Sequence, residues 1–219
     1  MLETKLLKLQ QLQRQQLISW QAAANLFVDA LATTDPTPGG GSAAGVNGAM
    51  GCALGQMAIG ITLRGKKLEE AKRPALRSLL ESLGGHKAAL QGCVAEDAAS
   101  FDGFMEAMKI PKDNPERKVK MQAALKHAAE VPLKTARLAS EALAGLGVCG
   151  GSISNHVASD YRSARYQLET AIRCAAENVF INAEGLEDKA YAEKITAEIK
   201  GYLSCCEAMQ VPYQRAMPL

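Results

Sequence analysis

From Gly39 to Leu63 the chain carries no charged side chain, and glycine recurs at Gly41, Gly45, Gly48, Gly51 and Gly55. An apolar run of that length has two physical homes. It can cross a bilayer, which takes about 20 apolar residues, or it can be a helix buried inside a bundle. The crowding of glycine, the presence of Asn47 and Gln56, and the lack of a comparable second segment weigh against lipid. The expectation is therefore a central helix buried on every side, with glycine letting neighbouring backbones approach. Each such glycine weakens an isolated helix by about 1 kcal/mol relative to alanine, so packing has to recover the loss.

The rest of the chain reads as helices around that segment. Leu2, Leu6 and Leu9 form a short stripe among glutamines, which suggests an appended amphipathic helix over residues 1–19 and a main helical domain over 20–219. A helix is expected from Ser19 to Leu31, ended by the Asp35-Pro36-Thr37-Pro38 turn. Further helices are expected over Leu68–Leu83, stopped by Gly84-Gly85, and over Lys87–Met108. Another runs from Pro115 through Ala129, is interrupted at Pro132, which lacks an N–H, and resumes to Leu146. Gly147–Gly151 reads as a flexible loop. The last two helices cover Ala158–Ala183, capped by Gly185, and Lys189–Met209. Nothing alternates with period two for long, so the fold class is all-α, a helical bundle with a central buried Gly-rich helix.

Composition removes several classes of function. Charged residues at 22% and hydrophobic ones at 47% describe a globular chain, and aromatics at 5% leave a core of small and aliphatic side chains. A net charge of +2 without a basic block gives nucleic-acid binding little support. None of the six cysteines forms a C-x-x-C pair, and His86, His127 and His156 lack ligand spacing, so no metal is expected. Scattered cysteines and a polar, Gln-rich start point to a reducing, cytoplasmic location.

Three features could carry chemistry. On the Lys87–Met108 segment, Leu90, Val94, Phe101, Phe104 and Met108 share a face, and Asp97 stands in the middle of it. A carboxylate there is expensive unless it is paired or hydrogen-bonded. Its two readings are a general acid/base and a brace for a neighbouring helix. On the Ala158–Ala183 segment, Asp160, Ala164, Ala171, Cys174, Ala175 and Asn178 share a narrow face. That is first a seam for close packing, with its polar ends available to a ligand. Finally, Pro38-Gly39-Gly40-Gly41-Ser42 opens the uncharged helix and can present backbone N–H groups to a polar ligand. It matches neither a phosphate-binding Walker loop nor a dinucleotide fingerprint. Lys66 and Lys67, with Lys72, Arg73 and Arg77, form a basic cluster that is either a solvated face or a landing strip for an anion.

The run Pro36-Thr37-Pro38-Gly39-Gly40-Gly41-Ser42-Ala43-Ala44 resembles the entry motif of the cyclodeaminase/methenyltetrahydrofolate cyclohydrolase family. The resemblance continues through Glu96-Asp97-Ala98-Ala99-Ser100-Phe101-Asp102, Ile110-Pro111-Lys112, Val131-Pro132-Leu133, Ser159-Asp160 and the stretch from Asn178 to Leu186. It implies an all-helical homodimer acting on tetrahydrofolate derivatives, with no prosthetic group. It also implies that Asp97 is the catalytic carboxylate. Pro38, Gly39, Gly40, Gly41, Ser42, Ser159, Asp160 and Asn178 would bind substrate, and the basic cluster adds Lys66 and Lys67 as candidates for an anionic part of it, such as a polyglutamate tail. Its activities are hydrolysis of 5,10-methenyltetrahydrofolate and cyclodeamination of formiminotetrahydrofolate; a folate-binding scaffold without turnover is the non-catalytic alternative. His156, Tyr161 and Arg162 depart from the family pattern, which implies a reshaped pocket if that helix start lines it.

Overall fold

The computed structural model describes residues 19–209, so the leucine stripe at Leu2, Leu6 and Leu9 lies outside the described residues. The chain divides after Gly39 into an N-terminal unit and a body. In the N-terminal unit, α1 (Trp20–Leu31) starts at Ser19, whose hydroxyl accepts from the Ala22 N–H at 3.0 Å. That is an N-cap satisfying one of the helix's free donors.

The body holds five α-helices among its described residues: α2 (Gly40–Arg64), α3 (Arg73–Lys109), α4 (Glu116–Cys149), α5 (Ala158–Glu184) and α6 (Lys189–Ala208). Four of them form a four-helix arrangement. α2 packs on α3 and α5, α4 packs on the same two from the other side, and α6 covers α5 and α4. Glycine sets the spacing. A Cβ on Gly51 would lie 2.8 Å from the Ala164 carbonyl oxygen and 2.7 Å from Leu168 Cγ, so α5 lies nearly on the α2 backbone. Gly45 meets Leu90 and Val94 of α3, whereas Gly55 meets Leu83, so α3 runs antiparallel to α2. Gly40 beside Asn178 and Gly48 beside Ala171 show the same for α5. The small-residue face of α5 is therefore a packing seam, with Ala164, Ala171 and Ala175 fully buried along it.

Four expectations need correction. α2 is not buried on every side: Met50, Met57 and Ile61 stay substantially exposed, because a helix at the corner of a four-helix bundle keeps an outward face. Gly84-Gly85 does not end a helix, and α3 is continuous from Arg73 to Lys109. The Gln56 amide donates to the Leu80 carbonyl at 3.1 Å and packs against Gly84, so the glycine makes room for a tertiary contact instead of terminating the helix. The supposed loop at Gly147–Gly151 is helical to Cys149 and continues as a 3-10 turn over Gly150–Ser152.

Pro132 does not interrupt its helix either, since α4 runs through it. A proline removes the N–H that would bond the carbonyl four residues back, here that of Ala128. The Asn182 side-chain amide on α5 donates to that Ala128 oxygen at 2.8 Å. A neighbouring helix thus supplies the donor the proline lacks. Asn182→Ala would leave the carbonyl without this partner; we expect a loss of about 1–2 kcal/mol in unfolding free energy, read by urea denaturation. An unchanged midpoint would show that solvent satisfies Ala128 instead.

Candidate active site

α2 begins opposite the middle of α3, and this sets the position of Asp97. Leu90 and Val94 lie against α2, but the last three turns of α3 extend past its first residue. Consequently Leu90 is fully buried, Asp97 and Phe101 are half-buried, and Met108 is exposed. The apolar face read from periodicity is thus fully covered at Leu90, partly covered from Val94 to Phe104, and open at Met108. The carboxylate stands at the edge of the covered part, neither sealed in the core nor free in solvent.

Two contacts hold it there. The Ser42 hydroxyl, fully buried, donates to Asp97 Oδ2 at 2.8 Å. A hydrogen bond to an ionised acceptor is among the stronger ones. On the other side the carboxylate presses on the α2 backbone: a Cβ on Gly41 would fall 2.0 Å from Oδ1. No side chain larger than hydrogen fits beside Asp97 in this position. Asn178 of α5 completes the group. Its amide donates to the Cys174 carbonyl at 2.8 Å, and a Cβ on Gly40 would lie 3.2 Å from it. Gly40, Gly41, Ser42, Asp97 and Asn178 therefore converge on the N-terminal end of α2, where unpaired backbone donors and the positive end of the helix dipole favour a negative group. Pro38 and Gly39 belong to the N-terminal unit, immediately before this helix start.

Glu96, the neighbour of Asp97, is committed elsewhere. Both of its oxygens accept from Lys134 of α4, at 2.9 and 2.8 Å. The hydrogen bond to Glu96 raises the Lys134 pKa, keeping the ammonium charged. This pair ties α3 to α4 behind the site and leaves Asp97 as the acid turned toward α2. Sequence periodicity separates Glu96 from Asp97 but carries no signal for Lys134, which comes from a distant helix.

The remaining predicted residues lie at the other end. α2 is about 37 Å long at 1.5 Å per residue. Lys66 and Lys67 follow its C-terminus, and Ser159 and Asp160 open the antiparallel α5 at the same end. A cleft of about 220 Å³ there is lined by Thr62, Lys67, Lys72, Ser152, Ile153 and Ser154, among others. Lys72 is paired with Glu69 at 2.7 Å, and Arg73 donates to the Leu63 and Gly65 carbonyls. Lys66 and Lys67 remain exposed. Within one chain these residues do not meet Asp97.

The departures at Tyr161 and Arg162 also fall at this far end. Tyr161 is buried; its hydroxyl donates to the Leu146 carbonyl and lies against Gly150. Burial pushes its pKa up, so the phenol stays a donor. Arg165 is buried as well and donates to the Met209 carbonyl. Arg162 and His156 are exposed. Tyr161 and Arg165 brace helix ends, at the end of α5 opposite the one that carries Asn178. Among the described residues, no three His, Cys, Asp or Glu side chains gather as a metal site. Burial raises the thiols of Cys52 to about 12 and Cys206 to about 11, which keeps them protonated in the core.

The all-α bundle thus holds one carboxylate against the glycine start of a helix, with a serine and an asparagine beside it. The chain belongs to the formiminotransferase-cyclodeaminase family, whose model, described as Formiminotransferase-cyclodeaminase, matches residues 23–201. It is 38% identical over 182 residues to a methenyltetrahydrofolate cyclohydrolase of Methylorubrum extorquens, covering 81% of this chain and 87% of that protein. It is 33% identical to the formimidoyltransferase-cyclodeaminase of Sus scrofa, with 81% of this chain matching 33% of the longer protein. The crystal structure of a formiminotetrahydrofolate cyclodeaminase from Thermotoga maritima superposes with a TM-score of 0.71 at 26% identity, covering 88% of this chain and 95% of that one.

Substitutions at the two holding residues should separate position from charge. Gly41→Ala forces its methyl into the space of the Asp97 carboxylate; we expect at least a tenfold loss of kcat/KM with the helical circular dichroism retained. Ser42→Ala removes one charge-assisted hydrogen bond, a loss of about 1.5–3 kcal/mol or roughly ten- to a hundredfold in rate. Wild-type kinetics in both variants would mean that Asp97 does not act from this position.

Proposed function

We propose that the protein is a one-carbon folate enzyme, a cyclohydrolase that hydrolyses 5,10-methenyltetrahydrofolate to 10-formyltetrahydrofolate, reversibly, with Asp97 as general acid/base. The observation that carries this reading is the half-buried Asp97 carboxylate, pinned by Ser42 on one oxygen and resting on Gly41 with the other. The 38% identical relative named as a methenyltetrahydrofolate cyclohydrolase supports the choice of substrate.

The chemistry needs one group that takes a proton and gives it back. The methenyl bridge is an amidinium carbon, already electrophilic, so the enzyme has only to activate water and help a ring nitrogen leave. Asp97 accepts a proton as the water oxygen bonds to that carbon, giving a tetrahedral adduct. The protonated carboxyl then returns the proton to N5 as the carbon–N5 bond breaks, and the regenerated carboxylate takes the adduct's hydroxyl proton and passes it to solvent, leaving the formyl group on N10. Ser42 positions the carboxylate throughout. Asn178 and the backbone of Gly40 and Gly41 line the side from which a polar ring edge would approach. Neither a metal nor a prosthetic group is required in this scheme. A homodimer, a cytoplasmic location and acceptance of polyglutamylated substrate complete the reading.

A second reading uses the same carboxylate. In a cyclodeaminase, N10 attacks the formimino carbon of 5-formiminotetrahydrofolate, and the proton goes to the departing ammonia. The Thermotoga maritima neighbour, named as a formiminotetrahydrofolate cyclodeaminase, favours keeping it. Following the absorbance of methenyltetrahydrofolate with wild type and Asp97→Asn tests the first reading; we expect turnover to fall by two to four orders of magnitude in the variant. Equal rates would remove Asp97 from the mechanism. Ammonia release from formiminotetrahydrofolate without hydrolysis of the methenyl compound would replace the first reading with the second.

A further inference from the structure

A shallow groove leads away from the Asp97 carboxylate. Val46, Ala49, Met50 and Ala53 of α2 form one wall, and Lys87, Gln91 and Val94 of α3 form the other. It holds about 360 Å³, within the range of about 300–1,000 Å³ usual for small-molecule sites. Its near end adjoins the site already described. Val46 follows Ser42 by four residues on α2, and Val94 precedes Asp97 by three on α3. Because the helices run antiparallel, both steps lead the same way, one turn from the Ser42–Asp97 hydrogen bond. The walls meet closely there: a Cβ on Gly45 would fall 2.9 Å from Val94 Cγ2, so no α2 side chain fits between them at that level.

Two polar groups break the apolar lining. Lys87 is half-buried and Gln91 is exposed. Among the described residues Lys87 pairs with no carboxylate, whereas Lys72, Lys109, Lys118, Lys120 and Lys134 each do. Burial raises the Cys52 thiol on α2 and the Lys87 charge draws it partly back, which places the ammonium on the α2 side of its own helix. A half-buried cation without a counter-ion, at the end of an apolar groove, suits a ligand that is flat and apolar along its length and anionic at its tip.

We infer that this groove seats the arm of the folate substrate, with the benzoyl ring between Met50 and Val94 and Lys87 on a carboxylate of the first glutamate. The inference rests on the folate reading for its ligand and adds the direction in which the molecule lies. Lys87 stands ten residues before Asp97, about 15 Å along α3. From the one-carbon bridge to the glutamate carboxylates the arm spans about 10–14 Å at ordinary bond lengths, and the lysine side chain covers the difference. With the bridge at Asp97, Gln91 faces the amide that joins ring to glutamate. Lys87, unlike Lys66 and Lys67, lies within one substrate length of Asp97 in the same chain.

Substrate truncation tests this. Wild type and Lys87→Met are compared on 5,10-methenyltetrahydrofolate and on 5,10-methenyltetrahydropteroate, which keeps the ring but lacks the glutamate. The substitution should raise KM for the first about tenfold while kcat changes by less than about twofold, and should leave KM for the second unchanged. Lys87→Arg, which keeps the charge, should recover most of the loss. A rise in KM on both substrates, or on neither, overturns the inference. A second readout needs no turnover. In protein labelled with [methyl-¹³C]methionine, millimolar p-aminobenzoylglutamate should shift the Met50 methyl resonance, assigned by Met50→Leu, and should not shift it in Lys87→Met. An unmoved Met50 signal in the wild type overturns the assignment. So does a signal that moves only with protein concentration, which would give the groove to a second copy of the chain. A ligand-dependent Met50 shift in a protein that turns over neither folate keeps the groove and removes the functional reading. Turnover with no effect of Lys87 on KM removes the groove alone.

Discussion

The close approach of α2 to α5 and α3 governs this structure. Where a Cβ on Gly51 would touch the Ala164 carbonyl, the helix backbones pack with almost nothing between them. Such closeness increases dispersion contact along the whole seam, which offsets the intrinsic helix penalty of the glycines. It also fixes where α2 begins relative to α3, and therefore which residue of α3 meets its first turn. The position of Asp97 follows from the spacing of glycines spread over fifteen residues of α2, from Gly41 to Gly55. The site is a product of packing rather than of a specialised loop.

Much of this was legible in the chain. The helical periods gave the elements, and the contrast between Glu96 and Asp97 showed which acid turns inward. The resemblance gave the family, and its glycine–serine run does meet Asp97. What local patterns could not give was anything decided by a partner helix. Gly84-Gly85 looks like a stop because a glycine pair is a poor helix former; only the Gln56 amide on α2 shows why the helix continues. Pro132 looks like a break for the same kind of reason, and its remedy comes from Asn182, fifty residues on. Lys66 and Lys67 share a charge pattern with an anion site, but sequence holds no measure of the length of helix that separates them from Asp97.

The bulky residues after Asp160 teach a related lesson. On the sequence they sit beside a family motif and depart from its pattern. In three dimensions that motif is split, with Asn178 at the Asp97 end and Ser159-Asp160 at the other. Tyr161 and Arg165 turn inward to carbonyls that close the ends of α4 and α6. Their size meets a need of the scaffold.

Asn178 and Asn182 stand one helical turn apart on α5. The first lies against Gly40, and the second holds the carbonyl that Pro132 leaves free. Sliding α5 along its neighbours by one turn, about 5.4 Å, would release both at once. The two asparagines therefore work as teeth that index α5 against α2 and α4, and a misthreaded bundle with the same apolar faces would still be recognisable to the chain as wrong.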